Sequence, residues 1–345
     1  MTNSSKPGPE KVTVIIPNWN GMQWLNNCLK SLYNQDLRYF KTIIVDNGST
    51  DNSVQFIKDH YPQVAVIELS YNMGFARAVN IGIEKSTTPY IAMLNNDTIV
   101  YRDWLSTLLQ KIENSPPDIA AINPQMLSMD DCSLVDDAGD ELSWYGLATK
   151  RGHNQPASAY ANEVEVFSPS GGASIFRRDF LLKTRGFDSA FFAYFEDVDL
   201  GLRGRLLGYR YLYFPKARVL HKSHGSGIQI AHHVKLLTRN RLFLFAKNIP
   251  FSLLLEQAPK LIYGQFYIFI AHGRHPLASL KGYWSFIYNL PETMKKRRKQ
   301  LENMKIDRAE IRSILHTRTP YPPLSHLFKG LLTDLAHKLK LTKIF

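Results

Sequence analysis

The sequence predicts an α/β protein: a Rossmann-like, mostly parallel sheet flanked by helices, with a helical C-terminal extension. Three observations predict it. Apolar runs rich in β-branched residues alternate with helical periodicity through the first hundred residues. That alternation builds parallel sheets with right-handed crossovers. Each run ends in a cluster of small polar residues, as at the mouth of an open sheet where ligands bind. After about residue 230 the pattern turns helical, aromatic and basic throughout.

The elements follow in order. Val12 to Ile16 is the first strand, ended by Pro17-Asn18-Trp19-Asn20-Gly21, and a helix then carries Trp24, Leu25, Cys28, Leu29 and Leu32 at three-and-four spacing. Thr42 to Val45 is the second strand, and Asp51 or Ser49 caps the next helix, with Val54 and Ile57 inward. Val64 to Leu69 is the third strand, Phe75 to Glu84 the third helix and Tyr90 to Leu94 the fourth strand. A helix spans Trp104 to Ile112, and Ile119 to Met126 pairs back into the sheet. Residues 128 to 161 are polar and acidic and read as a long loop or hairpin region. Phe167 to Phe176 is a glycine turn feeding a short strand. A helix starts near Glu196, and Tyr209 to Phe214 is a further strand. The expected parts are a disordered N-terminus at 1–11, a nucleotide-binding half at 12–100, a catalytic and acceptor-binding half at 101–230, and a basic helical region at 231–345.

Composition narrows the class. The formal charge is +12, much of it late in the chain, with the block Lys295-Lys296-Arg297-Arg298-Lys299. Such a balance suits anionic membrane, acidic ligands or nucleic acid. No recognisable nucleic-acid module accompanies it, so no nucleic-acid partner is expected. Cys28 and Cys132 stand alone, without zinc spacing or a disulfide framework, which points to a reducing cytosolic compartment. The first ten residues do not read as a signal peptide. The most apolar late stretch, Leu261 to Ala271, is shorter than the ~20 residues a spanning helix needs. A cytoplasmic protein, peripheral on the inner face of the cell membrane, is the expectation.

The strand ends carry the chemistry. Pro17 to Gly21 has neither the G-x-G-x-x-G of dinucleotide binders nor a P-loop, which disfavours nicotinamide chemistry and P-loop hydrolysis. It also lacks the glycine-rich basic loop of a nucleotidyltransferase. Asp46 suits the imide N–H of a uracil or thymine, or a simple turn and cap. Asn72 and Gly74 stand at a helix start, which favours anions, although Gly74 also suits a positive φ alone. Asn80 and Gly82 cost helix propensity and are expected to pack against a ligand or a strand. Asp97 is the strongest metal candidate, against a competing role as a helix cap. Magnesium and manganese take oxygen ligands and need few from the protein when phosphates supply the rest. His221 and His224 compete as an imidazole ligand, and either also suits a structural role. Glu196 and Asp197 open a helix, where the dipole favours carboxylate and hence a general base. Asp199 and Arg203, four apart, are expected to pair on the surface.

The series VTVIIPNWNG, VDNGSTDNS, NMGFARAVN, LNNDT, SGGASIFRR, FEDVDLGLRGRLLGYR and VLH resembles the family-two glycosyltransferases of the GT-A fold, especially their rhamnosyltransferase-like branch. The likeness runs in order from Val12 to His221. It implies nucleotide-sugar contacts at Pro17, Asn18, Asn20, Asp46, Asn72, Gly74 and Asn80, joined by Asn95 and Asn96. Asn95-Asn96-Asp97 stands where the family has its D-x-D motif, so one carboxylate is absent. The resemblance makes Asp97 and His221 the ligands of a divalent cation (Mn2+ or Mg2+), Asp197 the catalytic base, and Glu196 with Gly172 acceptor contacts. The implied partners are a dTDP- or UDP-sugar donor, a saccharide or lipid-linked saccharide acceptor, and an anionic membrane surface or a homodimer partner for the tail.

Overall fold

The computed structural model describes residues 10–223 and 228–330. The chain divides into two compact units: Met1–Glu141 with Thr149–Gly227, and Leu142–Ala148 with Ile228–Phe345.

The first unit is built on a ten-stranded sheet. Its strands are β1 (Val12–Asn18), β2 (Lys41–Asp46), β3 (Ala65–Glu68), β4 (Tyr90–Met93), β5 (Thr98–Val100), β6 (Ile119–Ser128), β7 (Val135–Asp137), β10 (Val164–Val166), β11 (Ile175–Arg177) and β12 (Arg210–His221). A separate hairpin pairs β8 (Asp140–Leu142) with β9 (Ala148–Lys150). The sheet order is β10-β12-β6-β11-β4-β1-β2-β3, with β5 added to β12 and β7 to β6. The long pairings (β1 with β2 and β4, β2 with β3, β6 with β12) are parallel, and the short β11 is antiparallel to both its neighbours.

The helices of this unit are α1 (Met22–Tyr33), α2 (Ser53–His60), α3 (Phe75–Lys85), α4 (Trp104–Glu113), α5 (Arg178–Thr184) and α6 (Glu196–Leu206). They cover both faces, so the central strands are apolar on both sides. Val12, Val14 and Ile16 of β1 join the core under α1 and α4, while Ile15 faces Val79 and Ile83 of α3. Gly82 is explained by this packing: a β-carbon there would lie 2.6 Å from the Ile15 side chain. β12 runs past the predicted end at Phe214 to His221, because the register shift between Phe214 and Arg218 absorbs Pro215 and lets pairing resume. The acidic stretch 128–161 takes the hairpin alternative: it holds β7 and the paired β8 and β9.

The second unit comprises α7 (Ile230–Asn248), α8 (Phe251–Glu256), α9 (Ala258–Ala271), α10 (Pro276–Tyr288), α11 (Leu290–Glu302) and α12 (Arg308–Ile314). Helices α10 and α11 pack on α7. Trp144 belongs to this unit and donates its indole N–H to the Arg312 carbonyl at 3.2 Å. The basic block is not a uniformly solvated face: Arg297 is buried and donates to the Ala246 carbonyl at 2.6 Å. Among the described residues no helix is long and apolar enough to cross a membrane.

Candidate active site

The C-terminal ends of β1, β2 and β4 bring together the polar residues expected there. Asn18 and Asp46 are both buried. The Asn18 amide donates to Asp46 Oδ1 at 2.9 Å and its oxygen accepts from Asn96 at 2.7 Å. Asp46 also accepts from the Ser49 hydroxyl (2.6 Å) and backbone N–H (3.0 Å), which fixes the turn after β2. Asn20, at φ 50°, accepts from the Thr50 N–H at 2.7 Å and donates its own N–H to Ser49 at 2.9 Å. Asp51 accepts at the starts of both α1 and α2, from Met22 and Ser53. Pro17 lies in register with Val45 beside this network.

A second set joins it. Asn47 donates to the Asn72 oxygen at 2.9 Å and accepts from the Met73 N–H at 2.8 Å. Asn72 also accepts from the Gly74 N–H at 2.9 Å. Gly74 has φ 86°, and a β-carbon would meet the Phe192 carbonyl oxygen at 2.5 Å. The positive φ and the close approach both require glycine. Asn80 points away from this set. Its amide donates to the Phe187 carbonyl (2.7 Å) and accepts from the Phe187 N–H (2.8 Å). It anchors the segment that leads into α6.

Asp97 follows β4 and His221 ends β12, and the antiparallel pairing of β5 with β12 brings them together. His221 Nε2 stands 3.3 Å from Asp97 Oδ1, and both side chains are largely buried. The other imidazole nitrogen lies 2.7 Å from Asp136 Oδ2. Asp136 is further held by the Ser223 hydroxyl at 2.6 Å and the Lys150 ammonium at 2.9 Å. Burial pushes the Asp97 and Asp136 carboxyls up, but the His221 hydrogen bonds and charge outweigh it, and both end below the usual carboxylate range. Burial lowers His221, yet the two carboxylates raise it to about 9. Among the described residues no group of three or more His, Cys, Asp or Glu side chains is arranged to hold a metal ion. Asp97 and His221 offer two donors, enough for a cation whose other ligands come from phosphate. A carboxylate oxygen beside an imidazole oriented by a second carboxylate is a donor set suited to it. His224 lies outside the described residues.

The third part is the start of α6. Phe192, Tyr194 and Phe195 all have positive φ, at 67°, 69° and 69°. Three such non-glycine residues within four positions store strain, a feature that clusters at functional sites. They deliver Glu196 to a buried position and Asp197 to a half-buried one. Asp197 Oδ2 accepts from the Gly171 N–H at 3.1 Å and Oδ1 from the Val198 N–H at 2.8 Å. Burial nevertheless raises the Asp197 carboxyl, against those bonds. Burial, then the neighbouring Asp197 charge, raises Glu196 much further. The Glu196 Oε2 atom is buried without a hydrogen-bond partner. Burial thus works against the helix dipole, and both carboxyls end above their ordinary range. Asp199 and Arg203, expected on the surface, are buried. Arg203 binds Asp199 at 2.8 Å and the Thr184 and Gly186 carbonyls at 2.6 and 2.7 Å, locking the turn after α5.

One turn joins the parts. The Gly172 carbonyl accepts from the Asn95 N–H at 2.8 Å, two residues before Asp97, while the adjacent Gly171 N–H is the one that Asp197 accepts. Asp140 lies close enough to Asp197 that its carboxyl is raised, first by burial and then by that neighbour's charge. Sequence patterns alone pass over Asp136, Lys150, Asn47 and Ser49 as site residues. The run Val135-Asp136-Asp137-Ala138-Gly139-Asp140, acids among small and apolar residues, is the one sign that this stretch is buried.

Residues 13–182 match the family described as Glycosyl transferase family 2. The chain is 33% identical over 130 residues to a teichoic acid poly(glycerol phosphate) polymerase of Staphylococcus epidermidis, a match covering 35% of this chain and 18% of that protein. It therefore spans less than a fifth of the polymerase. It is 29% identical over 234 residues to an N-acetylglucosaminyl-diphospho-decaprenol L-rhamnosyltransferase of Mycobacterium tuberculosis, covering 61% of this chain and 76% of that one. Among solved structures, GalNAc-T7 with UDP, GalNAc and Mn2+ superposes with a TM-score of 0.54 at 15% identity, over 76% of this chain and 56% of that chain. That likeness establishes the fold.

Proposed function

Because the chain belongs to glycosyl transferase family 2, through its domain at residues 13–182, we propose that it transfers a sugar from a nucleoside diphosphate donor to an acceptor hydroxyl, with inversion at the anomeric carbon. One observation carries the reading. The Gly171-Gly172 turn donates its Gly171 N–H to Asp197 and accepts the Asn95 N–H at its Gly172 carbonyl, so base and diphosphate end share one wall.

Asp46, Asn18 and Asn20 recognise the base and ribose side of the donor, with Asn72, Gly74 and Asn96 completing the rim. Asp97 and His221 would hold a divalent cation, which when bound stabilises charge on the departing diphosphate. The Mn2+ in the superposed GalNAc-T7 structure supports that assignment. With the cation bound, His221 would give up its Nε2 proton and keep the one on Nδ1 that faces Asp136. Asp197 takes the acceptor proton as the hydroxyl oxygen attacks the anomeric carbon. Its raised pKa makes it a stronger base than an exposed aspartate, and the aromatic segment before it excludes water. Glu196, whose burial favours the protonated, hydrogen-bond-donating form of its carboxyl, is assigned to the acceptor, and Gly172 shapes the same side.

The donor we favour is dTDP-rhamnose and the acceptor a lipid-linked or polysaccharide saccharide at the membrane. The mycobacterial rhamnosyltransferase supports this choice, and a UDP-hexose or UDP-N-acetylhexosamine is the second reading. Thermal unfolding with manganese and each of dTDP-rhamnose, UDP-glucose, UDP-N-acetylglucosamine and GDP-mannose tests it. Selective protection by dTDP-rhamnose is expected. Selective protection by another donor reassigns the sugar, and protection by none refutes the donor site.

A further inference from the structure

Helix α10 is amphipathic in the inverted sense. It buries the small residues Ala278, Ser279 and Gly282 and exposes the large apolar ones. Gly282 sits against the Lys235 carbonyl and Thr238 of α7, where a β-carbon would lie at 2.8 Å from both. The helices therefore approach closely through small side chains, leaving Leu277, Leu280, Trp284, Ile287 and Tyr288 between 54% and 85% exposed. Steps of three and four place these five on one stripe. A soluble monomer gains nothing by presenting such a stripe to water.

Beside it lies a cavity of about 450 Å³ lined by Lys235, Lys281, Trp284, Ser285, Ile287 and Tyr288. Two cations among aromatic and apolar side chains suit an anionic group attached to an apolar body. Helix α10 carries no acidic residue and one exposed-face cation, Lys281, while on the next helix the exposed Lys295 and Arg298 are paired with Glu292 and Glu302.

We propose that α10 is an interfacial docking surface for an anionic lipid bilayer, its stripe seated at the headgroup–acyl boundary and the Lys235/Lys281 cavity receiving a lipid phosphate. Charge decides the occupant: a second copy would bring another +12 to a basic face, whereas an anionic leaflet attracts it. Trp284 within the stripe and Tyr288 at its end are side chains of the kind that favour this boundary.

The test is co-sedimentation of the full chain with phosphatidylcholine vesicles and with vesicles also containing phosphatidylglycerol. Binding to the anionic vesicles only is expected, weakened on the order of tenfold or more by Trp284→Asp with Ile287→Asp. Both positions are exposed, and unchanged thermal unfolding confirms that the variant folds. Lys235→Gln with Lys281→Gln should reduce the preference for anionic lipid while keeping the stripe. Equal binding to neutral vesicles, no binding to either, or undiminished binding by the aspartate variant overturns the proposal. So does a dimer that the aspartate variant converts to monomer on size-exclusion chromatography. Nucleoside diphosphate release with a soluble acceptor should be the same for both variants and wild type, so failure of the surface is distinguishable from failure of the transfer reaction.

Discussion

Replacing Asp197 by Asn removes the proposed base while keeping its shape. The carboxylate spends one oxygen on the Gly171 N–H and the other on the Val198 N–H. An amide has a single acceptor, so one of these bonds is lost and an NH2 group faces an N–H. Leaving a buried donor unpaired costs about 1–3 kcal/mol. Against that, the buried carboxylate already carries a desolvation penalty, visible in its raised pKa, and the neutral amide escapes it. The two effects oppose, and the variant is expected to fold with stability within about 2 kcal/mol of wild type. Chemistry has no such offset. General-base catalysis contributes roughly 10²–10⁴ in rate, or about 2.7–5.5 kcal/mol of barrier. The assay is nucleoside diphosphate release at saturating donor and acceptor, with donor affinity measured separately by calorimetry. Turnover should fall by that factor with donor affinity unchanged. In the wild type the rate should rise with pH through a carboxyl titrating above its ordinary 3.8, because the base works deprotonated. Wild-type turnover in Asp197→Asn would remove this residue from the mechanism.

Three further outcomes follow from the same geometry. Asp136→Asn should weaken manganese binding 10–100-fold, the usual consequence of losing the carboxylate that orients a ligating histidine; calorimetry in the presence of nucleoside diphosphate measures it, and unchanged affinity refutes the role. Glu196→Gln should be more stable than wild type at neutral pH and nearly equal to it near pH 4. A carboxyl raised on folding binds more protons in the folded state, so wild-type stability falls as pH climbs above the ordinary glutamate range, by at most about 1.4 kcal/mol per pH unit. Parallel pH–stability curves would contradict the burial of Glu196. Gly74→Ala should cost about 1–3 kcal/mol in backbone strain alone, plus displacement of Phe192, seen as a lowered unfolding midpoint and weaker donor binding; a wild-type midpoint would show that the turn is not fixed as described.

The alternating half was legible because its signals are local. Strands β1, β2 and β4 are covered on both faces, so they read as unbroken apolar runs, and the helices between them keep a clear three-and-four spacing. The strand-end residues Asn18, Asp46 and Asn96 could be picked out because polar groups that follow a buried strand lie at the sheet's mouth. What escaped was non-local. Nothing near Asp136 in sequence announces that it will sit 2.7 Å from His221, 85 residues away. Asp199 and Arg203 looked like a surface pair because i,i+4 spacing is the same on either face of a helix. Only α6, buried nearly all round, makes Arg203 a lock on the turn after α5. At Glu196 and Asp197 burial works against the helix start: the dipole offers up to about 2 kcal/mol to a carboxylate, while desolvation pushes both carboxyls up.

These misses share one place, and that has a physical reason. A base that must take a proton from an alcohol gains from a dry, low-dielectric wall, and such a wall is made by burying acids the fold would rather leave in water. The orphaned Glu196 oxygen, the raised Asp140 beside Asp197 and the three positive-φ aromatics all run against stability within a short stretch of structure. They persist because neighbours over-determine them: Arg203 fixes the turn after α5, Asn80 pins Phe187, and Gly74 lets the Phe192 segment settle onto the start of α3. Relieving the strain at Phe195 without touching either acid should then misdirect both. That distinguishes a site held open at a cost in stability from one that merely sits on a helix end.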